Sequence, residues 1–169
     1  MASFEFLPII FTGLGLTASI IYYASILRNA NRTQQQALET RQAQFLMNIL
    51  NTLRSVEFRN QWHILETLEW TNFNDFMEKY EKDVEAISAW TSILMFFDGV
   101  GVMVEKRLID IDMIYPLIRG SVKMTWERFE PLILGDREYL KKYTHAWDKF
   151  EYLYHEIKNY EQEHQEPDP

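Results

Sequence analysis

The sequence predicts an all-α protein, with a single N-terminal transmembrane helix followed by a cytoplasmic helical bundle. Residues 7–27 contain no charged side chain, which is the pattern of a membrane span. Beyond them, apolar residues recur every three or four positions, the period of an amphipathic helix. Glycine and proline are scarce, with 6 and 5 among 169 residues, whereas an all-β fold needs many turns.

The uncharged segment 7–27 would form a helix about 31 Å long, enough to cross the hydrocarbon core of a membrane. Tyr22 and Tyr23 lie toward one end, and Phe4 and Phe6 precede the other, as aromatic residues at membrane interfaces often do. A cleavable signal peptide is disfavoured because no basic residue precedes the apolar run. A buried core helix is the other alternative, but a run this long and uncharged favours a membrane span.

The charges that flank this segment predict its orientation. Arg28 and Arg32 follow it directly, whereas only Glu5 and the amino terminus precede it. Because basic residues favour the cytoplasmic side, we expect a single-pass protein of the cell membrane with its N-terminus outside and its C-terminal domain cytoplasmic. The lipid bilayer is therefore the first predicted partner.

The charge of the remaining chain disfavours nucleic acid as a partner. Residues 28–63 carry a net charge of +3, but residues 64–169 contain 12 basic and 22 acidic residues. A body this acidic would repel phosphate groups. The absence of cysteine excludes disulfides, thiolate metal sites and a cysteine nucleophile.

Four segments follow from these patterns. Residues 1–27 hold the transmembrane helix, 28–53 a stalk and a first amphipathic helix, 54–160 a helical bundle, and 161–169 a polar tail.

Local signals place the helices of the bundle. Ser55 can cap a helix that runs to about Trp70, and residues 71–75 form a break before a short helix with Phe76, Met77 and Tyr80. Asp83 begins or continues into the next helix. Further along, Asp110 or Asp112 caps a short helix through Arg119, Ser121 caps another, Gly135 and Asp136 form a turn, and a last helix covers about 137–163.

The central helix is predicted over residues 84–107, because apolar residues cover most of its circumference. One apolar row comprises Trp90, Leu94, Phe97, Gly101, Val104 and Leu108, beside a second row of Ile93, Phe96, Val100 and Met103. Gly99 and Gly101 would each cost about 1 kcal/mol relative to alanine in this helix. Close approach of a neighbouring helix would offset that cost; a hinge or a ligand pocket is the alternative.

The central helix also carries a polar stripe of Ser88, Thr91, Asp98 and Glu105. Burial of Asp98 between Phe97 and Gly99 could raise its pKa and make it reactive. The simpler interpretation is the polar side of a helix that meets solvent, where an acid pairs with an arginine or caps a neighbouring helix. We therefore predict no catalytic residue, and keep Asp98 and Glu105 as candidates only.

No metal or cofactor is predicted. A di-iron centre in a bundle needs two Glu-x-x-His units and two further glutamates. Residues 161–164 supply one such unit in the polar tail, His63 and Glu66 have the reverse order, and Glu151 with His155 is an ordinary exposed pair. Phosphate-loop, dinucleotide-binding and nucleophile-elbow motifs are absent.

Several short motifs resemble domain-of-unknown-function family 4760, which comprises small prokaryotic membrane-anchored helical proteins. The matching residues are Phe96-Phe97-Asp98-Gly99-Val100-Gly101, Leu108-Ile109-Asp110, Gly120-Ser121 with Trp126 and Pro131, and Phe150-Glu151-Tyr152-Leu153-Tyr154. The resemblance implies a prokaryotic source and a helical bundle. It implies no activity and therefore no functional residues.

We expect a membrane-anchored interaction module or accessory subunit that recruits or regulates a partner protein, or that forms a homo-oligomer. The alternative is a membrane-associated enzyme with Asp98 and Glu105 as acid and base. A pocket that joins both carboxylates would favour the enzyme, whereas an exposed apolar groove would favour the module.

Overall fold

The computed structural model describes residues 6–139 and 145–164, with side chains from Phe11 onward. Over these residues the chain forms six α-helices and no strand, which confirms the predicted all-α class. The helices are α1 (Phe6–Arg54), α2 (Val56–Thr67), α3 (Phe73–Tyr80), α4 (Val84–Glu105), α5 (Ile111–Tyr139) and α6 (Asp148–Glu163). The chain divides into two compact units, residues 1–41 and 42–169.

The first unit consists of the N-terminal part of α1. Its helix covers the described part of the predicted span and continues through the predicted stalk, 28–37. Every residue from 11 to 41 is exposed, including all the large apolar side chains. Phe4 lies outside the described residues. That the segment 7–27 crosses a membrane stays a prediction.

The second unit is a helical bundle built around α4. Nine residues of α4 are buried, and this helix packs against α6 and α2, while α5 packs against α6 and α3. Ile93, Leu94 and Phe97 are fully inaccessible to solvent. Among the described residues, α4 is also the one helix long and apolar enough to cross a membrane, with 44% of its most apolar stretch buried. Its side chains already form the core of the bundle, as the two apolar rows predicted.

Capping bonds confirm the helix start predicted at Ser55 and show that Asp83, of the two alternatives left open there, begins a helix. Ser55 accepts a hydrogen bond from the N–H of Phe58, and Asp83 accepts from the N–H groups of Glu85 and Ala86. Each bond satisfies a donor that lacks a partner within the helix. The predicted end of α2 near Trp70 was slightly late, because the backbone is already extended at Leu68.

The prediction of separate helices between residues 110 and 135 was wrong. Helix α5 runs without interruption through Gly120, Ser121 and Gly135, and contains Pro116 and Pro131. An exposed glycine costs about 1 kcal/mol in a helix. Burial of one large apolar side chain contributes about 1.5–3 kcal/mol. Ile114, Ile118, Val122, Trp126, Phe129, Leu132 and Ile133 are all buried along α5. Tertiary packing therefore outweighs the local signals for a break.

The predicted single helix over 137–163 was also wrong. Arg137 belongs to the last turns of α5, and α6 begins only at Asp148. Trp147, just before α6, has a left-handed backbone with φ of 63°, which a continuous helix does not allow. Leu140 and Tyr143, assigned to that helix from the sequence, lie outside the described residues.

The two glycines of α4 have different surroundings. A Cβ atom added at Gly101 would overlap the backbone carbonyl of Lys149 in α6, whereas one at Gly99 would meet nothing within 4 Å. Close approach of a neighbouring helix is therefore confirmed at Gly101 and absent at Gly99. The apolar row ends at Val104, because the left-handed backbone of Arg107 leaves Leu108 45% exposed.

We predict that Gly101→Leu destabilises the bundle by about 1–3 kcal/mol, because the side chain would push α6 away from α4. The measurement is the urea midpoint of the full chain in mild detergent. Gly99→Ala is the matched control and should leave stability unchanged or raise it by up to about 1 kcal/mol. An unchanged or raised midpoint for Gly101→Leu would contradict the close contact.

Candidate functional site

Asp98 caps the first turn of α6. Its Oδ1 accepts the backbone N–H of Lys149 at 3.0 Å and that of Phe150 at 3.1 Å. These donors have no acceptor within their own helix. Trp147, at the N-cap position, supplies no side-chain hydrogen bond to these donors. A carboxylate from α4 therefore takes the place of a capping residue in the segment before α6. Its negative charge also interacts favourably with the positive N-terminal end of α6.

Glu105 lies two turns further along α4 and holds the side chain of the same lysine. Its carboxylate accepts a hydrogen bond from Nζ of Lys149 and lies 3.3 Å from Nζ of Lys106. These bonds, that of Lys149 above all, hold the pKa of Glu105 below its ordinary range. The same contact raises the pKa of Lys149.

The two candidate acids are thus brought together around Lys149, one at its backbone and the other at its side chain. Their oxygen atoms are engaged in attaching α6 to α4. Ser88 and Thr91, from the same predicted stripe, lie nearer the start of α4, where Ser88 is exposed and Thr91 half-buried. The contacts of Asp98 correspond to the simpler interpretation of the stripe, a carboxylate that caps a neighbouring helix.

Arg137 of α5 contacts the N-terminal end of α6. No local pattern in the sequence predicts this contact. Its side chain is only 15% exposed. Nε donates to the carbonyl of Ala146 and Nη1 donates to Glu151, both at 2.8 Å, and Nη2 lies 3.2 Å from Asp148. Next to it, burial raises the pKa of Asp136, whose carboxylate accepts from the indole of Trp147.

A second feature of the bundle is a row of three depressions along α2 and α5, here called the α2–α5 groove. Their volumes are about 280, 50 and 570 Å³, and the largest lies at the loop that follows α2. Between the last two depressions, the side chain of Arg128 crosses from α5 to the end of α2. Trp62 lines the first two parts and Arg128 the last two. The other lining residues are Leu53, Phe58, Arg59, Leu65, Glu66, Leu68, Glu69, Trp70, Thr71, Lys79, Leu117, Ser121, Met124, Thr125 and Phe129.

Neither Asp98 nor Glu105 lines this groove. The first two parts of the groove are more apolar than polar, whereas the last part is more polar. Leu117 and Met124 remain 41% and 51% exposed on the rim of the first two parts. The sequence contains one signal for it: Leu117, Ser121, Met124 and Arg128 follow steps of four, three and four residues, which place them on one face of α5.

Over residues 6–139 and 145–164, no cluster of three or more acidic or histidine side chains could hold a metal ion. Glu161 of the predicted Glu-x-x-His unit pairs instead with Lys123 at 2.8 Å. Nδ1 of His164 lies 2.9 Å from the carbonyl of Tyr160, and Nε2 of His155 lies 4.0 Å from Glu151.

We predict that Asp98→Ala destabilises the bundle by about 1 kcal/mol, the usual effect of losing a helix cap. Asp98→Asn should lose less, because an amide oxygen can still accept the two N–H groups of α6. Urea midpoints of both variants, measured at neutral pH, give the comparison. Equal losses would mean that the capping geometry does not account for the stability.

The pKa of Glu105 predicts part of the acid sensitivity. Since folding lowers this pKa, the contribution of Glu105 to stability is complete above its ordinary value of 4.5 and is lost as the pH falls through the lower folded value. Glu105→Gln should therefore be less stable than the unmodified chain at neutral pH, and the difference should shrink below pH 4.5. Urea titrations over this range measure it; a constant difference would exclude the ion pair as the cause.

Comparison with known proteins identifies the family of the chain. The sequence profile of the family described as "Domain of unknown function (DUF4760)" matches residues 9–157. No curated protein and no solved structure shows significant similarity to the chain. The profile covers α2 to α5 entirely, and with them the α2–α5 groove, Asp98 and Glu105. The chain therefore belongs to the DUF4760 family.

Proposed function

We propose that this chain is a membrane-anchored interaction module, which holds a partner protein at the cytoplasmic face of the membrane. The observation that carries the proposal is the exposed apolar surface of the N-terminal part of α1, in a chain whose bundle also has exposed apolar side chains, Leu117 and Met124, on the rim of the α2–α5 groove. Soluble monomeric proteins seldom leave large contiguous apolar surfaces exposed without a lipid or a protein to cover them.

The N-terminal part of α1 supports the membrane anchor. Its described large apolar side chains are 45–66% exposed: Phe11, Leu14, Leu16, Ile20, Ile21, Tyr22, Tyr23, Ile26 and Leu27. Exposure of apolar surface to water costs about 25 cal/mol per Å², and a bilayer removes this cost.

Three hydroxyl groups in the same segment suit a lipid environment. Thr17, Ser19 and Ser25 each donate to the carbonyl four residues earlier, at 2.8–2.9 Å. In hydrocarbon an unpaired hydroxyl would be costly, so these internal bonds favour insertion.

The groove supports a binding role over an enzymatic one. An acid–base enzyme needs its carboxylates in a cleft that admits substrate. The carboxylate of Asp98 instead faces the backbone of α6, and that of Glu105 is bonded to Lys149. The groove is exposed, combines apolar with charged side chains and is separate from both acids, which suits recognition of a protein.

Fractionation and affinity purification of the tagged full chain test the proposal. We expect the full chain in the membrane fraction, with a reporter fused after Pro169 on the cytoplasmic side. After purification in mild detergent, a partner protein should be present in near-equal amount. Recovery in the soluble fraction, or purification without a partner, would contradict the module.

Deletion of residues 1–27 is the matched control for this experiment. Because the groove lies within residues 42–169, the truncated chain should become soluble, keep its helical circular-dichroism spectrum and retain the partner. An unfolded truncated chain would show that the first helix belongs to the core rather than to the membrane.

A further inference from the structure

We propose that the α2–α5 groove binds one amphipathic helix of a partner protein, about three turns long, with two acidic residues seven positions apart that meet Arg59 and Arg128. This inference rests on the proposed role as an interaction module and names the surface and the chemistry of its partner.

The groove exists because α2 and α5, which form its two walls, pack against different helices. Helix α2 packs mainly against α4, whereas α5 packs mainly against α6 and α3. The space between α2 and α5 is left open above a floor of buried Phe58, Leu65 and Phe129. An amphipathic helix recognises a surface of this kind by placing its apolar side chains into the groove.

The length of the walls sets the length of the occupant. Helix α2 has 12 residues, which corresponds to about 18 Å at 1.5 Å per residue. On the opposite wall, Leu117 and Met124 lie seven residues apart, or about two helical turns. A partner helix of about three turns could therefore cover both rim residues and the indole of Trp62 between them.

The charges of the groove differ from those of the surrounding body. Residues 42–169 contain 14 basic and 23 acidic residues, so most of this unit attracts cations. The groove has an exposed arginine at each end, Arg59 near its start and Arg128 near its finish. The groove also holds a third cation, Lys79, and two acids, Glu66 and Glu69. Glu66 already accepts a hydrogen bond from the indole of Trp62 at 3.0 Å.

Both arginines are available to a carboxylate. Within the described part of the chain, neither forms a salt bridge. Arg128 is also held in position: Nη2 donates to the carbonyls of Glu66 and Leu68, and the guanidinium lies 4.9 Å from the ring centre of Trp70. A cation fixed in this way loses little conformational freedom when it binds an anion.

The spacing of the arginines gives the spacing of the acids. Arg59 shares its depression with Ser121, and Arg128 follows Ser121 by seven residues of α5. Seven residues of helix span about 10.5 Å, or two turns. To match this offset along α5, we place the two acids at positions i and i+7 of the bound helix, which lie on one side two turns apart.

Two synthetic peptides of 14 residues test this inference directly. Both carry a leucine face on a helix-favouring sequence; one has glutamate and the other lysine at positions i and i+7. Fluorescence anisotropy of the labelled peptides measures binding to the purified full chain in neutral-lipid nanodiscs, with empty nanodiscs as a blank. We expect the glutamate peptide to bind about tenfold more tightly, with a preference that weakens as salt is raised.

Three variants locate the binding. Met124→Glu, in the groove, should abolish binding, whereas Met95→Glu should not, although Met95 is 61% exposed on α4 outside the groove. Arg59→Glu should remove most of the preference for the glutamate peptide, because the introduced carboxylate repels one acid while Arg128 still attracts the other. Equal affinity for both peptides, no binding, or equal effects of the two methionine variants would overturn the proposal. Circular dichroism confirms that each variant is folded.

A second copy of this chain is the competing occupant. Since the chain has no cysteine, Met124→Cys introduces a single thiol at the rim. A disulfide-linked dimer formed at low protein concentration would assign the groove to self-association and overturn the proposal; a monomer supports it. Co-purification of a partner without peptide binding would refute the groove assignment alone, because the affinity purification does not depend on it.

Discussion

The bundle depends on the close contact between α4 and the first turn of α6. Gly101 has no side chain, and the carbonyl of Lys149 occupies the space that a Cβ atom would need. At this distance Asp98 can accept two N–H groups of α6, and the ring of Phe97 stacks on that of Phe150 with centres 5.1 Å apart. A cap contributes about 1 kcal/mol, and an aromatic pair about 0.5–1.5 kcal/mol beyond its burial. Together they offset the cost of about 1 kcal/mol for a glycine within a helix.

The same contact explains why α6 begins where it does. The left-handed backbone at Trp147 stops any continuous helix from α5 to α6, and this residue supplies no cap of its own. Instead, Asp98 from α4 accepts from the free backbone N–H groups at this end, and Arg137 from α5 donates to a backbone carbonyl just before it. The start of α6 is therefore held by α5, which precedes it, and by α4, which lies about 50 residues earlier in the sequence. Its position depends on the packing of the bundle.

This dependence also explains which features the sequence could predict. Ser55 and Asp83 cap their own helices through bonds within three residues, so their pattern is local. The start at Ser55 was predicted, and a start at Asp83 was one of the two alternatives that the sequence left open. The central helix was predictable because its apolar rows are long. The continuity of α5 through Gly120 was not, because it comes from burial against α6 and α3. Of the candidate site, the sequence identified Asp98 and Glu105 but not their shared neighbour Lys149. The α2–α5 groove is a gap between helices, and a gap leaves no residue pattern beyond the exposed stripe on α5.

Because Asp98 and Glu105 hold α6 against α4, the candidate functional surface is the groove along α2 and α5 rather than a site on α4. Helix α2 is positioned by α4, helix α5 by α6, and α4 and α6 by their contact at Gly101. Arg128 adds a direct link, because it donates from α5 to the backbone at the end of α2. The walls that α2 and α5 contribute to the groove are thus held by the core, and the loop after α2 completes its last part. The proposed partner would meet a surface whose helical walls are formed before it binds, so binding would cost little ordering of the chain. The rigidity that the two acids give to the bundle would support this proposed surface, to which neither acid contributes.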